Sequence, residues 1–173
     1  YQSIPEIRGE SRFMDYLFYA TGAYENDEFE ISSLYYFGAI EPPLAEPGVK
    51  ASSRAEFPQA LKGLADSLFE LDNLGGAATY YERLLNMPNN PYRDAALVRL
   101  IDIASTERDT EKVQRYIDLY ESQGTSAKGT PPEVSYALGR LYFLADKTDQ
   151  SIDRLIQVPK GDAHYLRAQV VGV

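Results

Sequence analysis

Cysteine and tryptophan are absent from this 173-residue chain, and histidine occurs once, as His164. Without thiols there is no disulfide, no Cys-ligated zinc and no thiolate nucleophile, and one imidazole cannot build a His-based metal cluster. No cofactor and no metal is therefore expected. Long apolar runs are missing too: no stretch approaches the roughly 18 consecutive apolar residues of a membrane helix, and no basic-then-apolar leader is present. Membrane insertion is not expected. Positive charge is scarce, with 17 Lys plus Arg against 26 Asp plus Glu and a net charge of −9. Nucleic-acid binding, which needs clustered cations, is not expected on that ground. What remains is a chain with 44% hydrophobic and 25% charged residues, the balance of a folded domain that can bury a core without covalent staples. It begins at Tyr1 and ends at Val173 inside an apolar run, which reads as a piece of a longer protein.

Segment 57–91 is the most legible. Phe57-Pro58 opens it, Leu61, Leu64, Ala65, Leu68 and Leu71 follow at helical spacing, and Asp72-Asn73-Leu74-Gly75 stops the helix. A second helix places Ala77, Tyr80, Tyr81, Leu84 and Leu85 on one side and ends at Met87-Pro88-Asn89-Asn90-Pro91, where proline forbids continuation. Two such helices make an αα-hairpin. The same pattern recurs at 93–122, with Leu97, Leu100, Ile101 and Ala104, then Val113, Tyr116, Ile117 and Tyr120, and at 132–158, with Val134, Leu138, Gly139, Leu141 and Tyr142, then Ile152, Leu155, Ile156 and Val158. Residues 12–40 follow it more loosely and are unusually aromatic. Taking Ala20, Ala65, Ile101 and Gly139 as equivalent, the spacing lies in the range of helical-hairpin arrays. One repeat domain over 1–173 is expected, with units at about 12–41, 57–90, 92–123 and 132–159 and a half unit at 162–173. Pro42 to Gly48 and Gly124 to Pro132 read as linkers within it.

Leu61, Leu64, Ala65, Leu68, Leu74, Ala77, Tyr81 and Leu84 with the trailing proline resemble the tetratricopeptide repeat (TPR) signature, and Leu100, Ile101, Ala104, Val113 and Ile117, and Leu138, Gly139, Tyr142, Ser151 and Leu155, echo it. Ile101 stands where a small residue is usual, and Val113 and Ser151 replace the alanine of the second helix. HEAT-like and Sel1-like repeats fit these intervals less well. The resemblance implies an all-α, right-handed α-solenoid of stacked antiparallel hairpins, non-enzymatic, whose first helices line a concave groove for a peptide or a partner-protein segment. On that reading Lys62, Asp66, Phe69, Arg99, Asp102, Tyr136, Arg140 and Phe143 face inward, as do Leu17, Phe18 and Thr21, and the cations Lys62, Arg99 and Arg140 suit an acidic segment. The alternative is that Lys62 with Asp66, and Arg99 with Asp102, pair along their own helices.

Four further features stand outside the repeat pattern. Tyr16, Tyr19, Tyr24, Tyr35 and Tyr36 form an aromatic cluster in the first unit, either a docking surface or core. His164 reads as a helix-start or surface histidine with at most a weak pH response. Glu25-Asn26-Asp27-Glu28-Phe29-Glu30 lacks the ligand spacing of a calcium loop and reads as a helix start capped by Asn26 or Asp27. Gly124 to Thr130 lacks the lysine and preceding strand of a phosphate loop and reads as a linker. The function expected is a protein-interaction scaffold within a larger assembly, the alternative being a self-associating structural module that packs through its last helix. Association with similar acidic repeat modules places it in the periplasm or cell envelope ahead of the cytoplasm.

Overall fold

Helix α3 (Phe57–Glu70) begins with Pro58 in its first turn and buries Leu61, Leu64 and Ala65 along one face, as its three-and-four spacing requires. It pairs with α4 (Leu74–Leu85), which buries Ala77, Tyr81 and Leu84. In the computed structural model, which describes residues 9–41, 51–122, 130–144 and 146–171, this hairpin recurs. The others are α1 (Gly9–Glu25) with α2 (Phe29–Ile40), α5 (Arg93–Glu107) with α6 (Thr110–Glu121), and α7 (Pro132–Leu144) with α8 (Thr148–Leu155); α9 (Tyr165–Val171) follows. Among the described residues there is no strand. The linkers at 42–48 and 124–129, and with the latter the phosphate-loop comparison, lie outside the described residues.

The chain divides into two compact units, residues 1–92 and 93–173. In unit 1, α1 packs on α2, α2 on α3 and α3 on α4. Its interface between hairpins is close because small residues meet there: Ser32 Oγ donates to the Ala20 carbonyl at 2.9 Å and lies 3.0 Å from Ser67 Oγ, while Gly63 lies under the Tyr36 ring. In unit 2, α5 packs on α6 and α7, α7 on α8, and α9 on both α7 and α8. Here Ser151 Oγ donates to the Gly139 carbonyl at 2.8 Å, reproducing the Ser32 bond at the same twelve-residue interval. The serine that replaces alanine in these hairpins thus satisfies its own hydroxyl when buried.

The four hairpin turns share one backbone geometry. Asp27, Asp72, Arg108 and Asp146 all have φ between 57° and 61°, and the next residue donates back across five positions: Glu28 to Ala23, Asn73 to Leu68, Asp109 to Ala104 and Lys147 to Tyr142. This is the Schellman closure of a helix by a left-handed residue. Asn73 and Asp109 then cap the second helix by accepting from the backbone N–H of Gly76 and Lys112, each at 3.0 Å. In the first hairpin the cap position is Glu28, not Asn26 or Asp27. Asp27 is taken up by the left-handed turn, and the Asn26 amide donates to the Gly22 carbonyl at the end of α1.

Arg108 is the one long side chain among these left-handed positions, where a Cβ is penalised. Arg108→Gly is expected to raise stability by about 0.5–1 kcal/mol once the greater freedom of glycine in the unfolded chain is subtracted. Denaturant titration checks this, and an unchanged or lower midpoint refutes it.

Candidate functional site

In unit 1, Gln59, Lys62, Gly63 and Asp66 climb one face of α3. Together with Tyr24 from α1, Tyr36 from α2 and Tyr92 they line an open depression of about 510 Å³. Its charges are mutually engaged. Lys62 Nζ donates to Asp66 Oδ2 at 2.5 Å, one helical turn away, and the Tyr81 hydroxyl donates to Asp66 Oδ1 at 2.5 Å from α4. Asp66 is therefore a carboxylate with both oxygens occupied, which ties α3 to α4. Tyr36 is only 5% exposed. Thr21 Oγ1 gives its proton to the Leu17 carbonyl at 2.8 Å, so the Tyr36 hydroxyl, 3.2 Å away, donates to Thr21. Burial pushes the Tyr36 pKa above its ordinary value. What the depression offers is tyrosine surface, the Gln59 amide and a neutralised ion pair, which suits an uncharged segment with aromatic or aliphatic side chains better than a carboxylate.

In unit 2 the polar cluster is internal. His164, 7% exposed, stands just before α9; its Nε2 lies 2.6 Å from Asp102 Oδ1 of α5 and its Nδ1 2.9 Å from Asp162 Oδ1. The same Asp162 oxygen accepts the His164 backbone N–H at 2.8 Å. With a carboxylate at each ring nitrogen, only the doubly protonated imidazolium can donate both bonds. The Asp102 hydrogen bond, outweighing desolvation and aided by Asp162, raises the His164 pKa above its ordinary value. The Tyr136 ring of α7 lies 5.3 Å from the imidazole, and the Arg140 guanidinium stands over the Tyr136 ring at 5.8 Å. Arg140 also donates to the Ser105 carbonyl at 2.5 Å, closing the end of α5.

The expected site residues differ in their surroundings. Asp102, 8% exposed, is a buried acceptor for His164 and does not line an open face. Tyr136 is core, and Arg140 is held on a backbone carbonyl. His164 is at a helix start, but it is buried and not at the surface. Lys62 and Asp66 lie together in the depression; Phe69 and Arg99 are half-buried, and Phe143 is exposed. Leu17 is core, and Phe18 turns outward, edge-on to Tyr19 at 5.8 Å. Of the aromatic cluster, Tyr35 touches both Tyr16, at 6.0 Å, and Tyr19, at 5.6 Å, while Tyr24 packs on Phe29 at 5.3 Å. Tyr36 leaves the cluster for the interface with α3, where Gly63 makes room for its ring. The depression's remaining members, Gln59 and Tyr92, were not anticipated. Gln59 lies one turn before Gly63 and Lys62, and that register is the signal that marks it.

No protein-family model matches the chain, and no curated protein matches it. Among solved structures it is similar to that of the functional characterization of Pseudomonas aeruginosa pilF, with a TM-score of 0.70 at 18% sequence identity over 92% of this chain and 67% of that one. At this identity the likeness concerns the fold. The chain has a TPR-like, all-α helical-repeat fold.

Proposed function

We propose that the protein is a non-catalytic protein-interaction scaffold that holds an extended segment of a partner protein in the depression of unit 1. The observation that supports this most is the convergence of Tyr24, Tyr36 and Tyr92 with Gln59 beside an ion pair that is already satisfied. Apolar walls with a few placed polar groups are the usual composition of a segment-binding site, and an amide such as that of Gln59 can bond an extended backbone. The acidic segment first considered loses its support: Lys62 is matched by Asp66, and Arg140 serves Ser105. A cell-envelope assembly is the setting this proposal retains.

The test compares the wild-type chain as bait in extract of its source cells with a Tyr24→Ala, Gln59→Ala variant whose helicity is unchanged by circular dichroism. The variant is expected to retain at least about tenfold less of a captured partner, the loss that removing a well-packed aromatic contact brings. Equal retention by both removes recognition from the depression. The exposure of Leu166 and Val170 on α9 favours one second reading, self-association through that helix, and a monomeric mass by light scattering at high concentration excludes it.

A further inference from the structure

The first hairpin carries a feature that the depression does not use. On α1, Met14, Phe18 and Tyr19 are exposed, and on α2 so are Ile31, Leu34 and Tyr35, with Phe18 at 76% and Leu34 at 72%. Ring contacts join the two helices' sets into one surface, running from Phe18 to Tyr19 to Tyr35. At Ile31 and Leu34 the hairpin architecture does not demand this apolarity. Counting from the equivalent residues Ala20, Ala65, Ile101 and Gly139, the place of Leu34 is held by Thr79, Arg115 and Asp153 in the later hairpins, and that of Ile31 by Gly76, Lys112 and Gln150. A surface of this kind on a folded domain marks an interaction site.

Within unit 1 the same register shows what shape fits. The positions of Phe18 and Gly22 correspond to Gly63 and Ser67, and those two are where α2 docks on the second hairpin, through the Tyr36 ring and the Ser32 hydroxyl. Gly22 has open space above it, so a helix can approach α1 there, held farther from the backbone than α2 is from α3 because Phe18 stands in the place of Gly63. Charge indicates the sign of the occupant. From Gly9 to Glu41 there are seven acidic residues, Asp15, Glu25 and Glu30 among them, and one basic residue, Arg12. We infer that the outer face of the first hairpin docks a basic amphipathic helix of a partner protein, its apolar stripe on Phe18, Tyr19, Ile31 and Leu34 and its cations toward this acidic surround. Of this chain's own exposed stripes, that at Ile152 and Ile156 fits less well, because it carries Asp149 and Asp153 beside Arg154; the seven-residue α9, with Leu166 and Val170 exposed, is the second-copy occupant that the test below separates.

The probe is a synthetic helix with one leucine face and one lysine face, titrated against the full chain. Controls are the same peptide with glutamate for lysine and a scrambled peptide of identical composition. Binding is expected for the leucine–lysine helix alone, weakening as salt rises. A Phe18→Gln, Leu34→Gln variant, which keeps every charge and alters only exposed side chains, is expected to bind at least about tenfold more weakly. An Asp15→Asn, Glu30→Gln variant, which removes two of the seven acidic charges, is expected to show a weaker salt dependence. Equal affinity of the Gln variant, or of the scrambled peptide, overturns the inference. So does a wild-type dimer, seen by light scattering, that the Gln variant abolishes, since that gives the face to a second copy. The Tyr24→Ala, Gln59→Ala variant is expected to leave the peptide affinity unchanged, so this face and the depression stand or fall separately.

Discussion

His164→Ala is expected to lower the stability of unit 2 by about 3–5 kcal/mol, the cost of removing one partner from a buried charged set. Asp102 and Asp162 would remain, the first almost fully buried, with no donor in place of the two ring nitrogens. The loss should be visible as faster hydrogen exchange at the Ala168 amide, which bonds to the His164 carbonyl, and as a lower denaturant midpoint. His164→Gln removes the titration while keeping a polar side chain. The sign of the pH dependence follows from the raised pKa. A group whose pKa is higher folded than unfolded contributes stability that is complete below its unfolded value, near 6.5, and is lost as pH rises through the folded value. The wild type should therefore lose stability relative to His164→Gln on passing from mildly acidic to alkaline solution. A constant difference between the two proteins from pH 6 upward would mean that folding leaves the ring's affinity for its proton unchanged, and a wild type that gains on the variant over that range would mean that the ring is neutral in the folded state.

The second large effect is steric. Gly63→Ala would ordinarily strengthen a helix interior by about 1 kcal/mol, yet here the new methyl would fall within the Tyr36 ring. The ring cannot swing out freely, because it is buried and its hydroxyl is held on Thr21. A net destabilisation of about 1–3 kcal/mol is expected, as for other overpacked cores. A double-mutant cycle separates the clash from propensity: in a Tyr36→Ala background the same substitution should be neutral or stabilising. If Gly63→Ala stabilises the wild type, the close approach of α2 and α3 is not as tight as described.

The hairpins were legible because periodic apolar residues, prolines and polar turns act locally. Leu61, Leu64 and Ala65 announce α3 within one helical turn, and all three are buried. The site was less legible because its bonds join distant positions. Asp102 and His164 are 62 residues apart, so neither carries a local sign of the other, and a carboxylate on a helix looks the same whether it faces solvent or an imidazole. Tyr36 was read with its aromatic neighbours in sequence, although successive helical residues point about 100° apart and Tyr35 and Tyr36 serve different partners. The serine bonds show an intermediate case. Ser151 stood out as a departure from the alanine of the repeat, but the carbonyl that receives it is visible only once the helices are packed.

The shared turn geometry has a consequence for heredity. Because Asp27, Asp72, Arg108 and Asp146 meet one backbone requirement through carbonyl and amide groups that every residue but proline owns, the turn does not depend on any one side chain being retained. Copies of such a hairpin can drift apart until little but the rhythm of small and large residues is common to them, and each still closes in the same way. Kinship among them is then carried by shape long after spelling has ceased to record it.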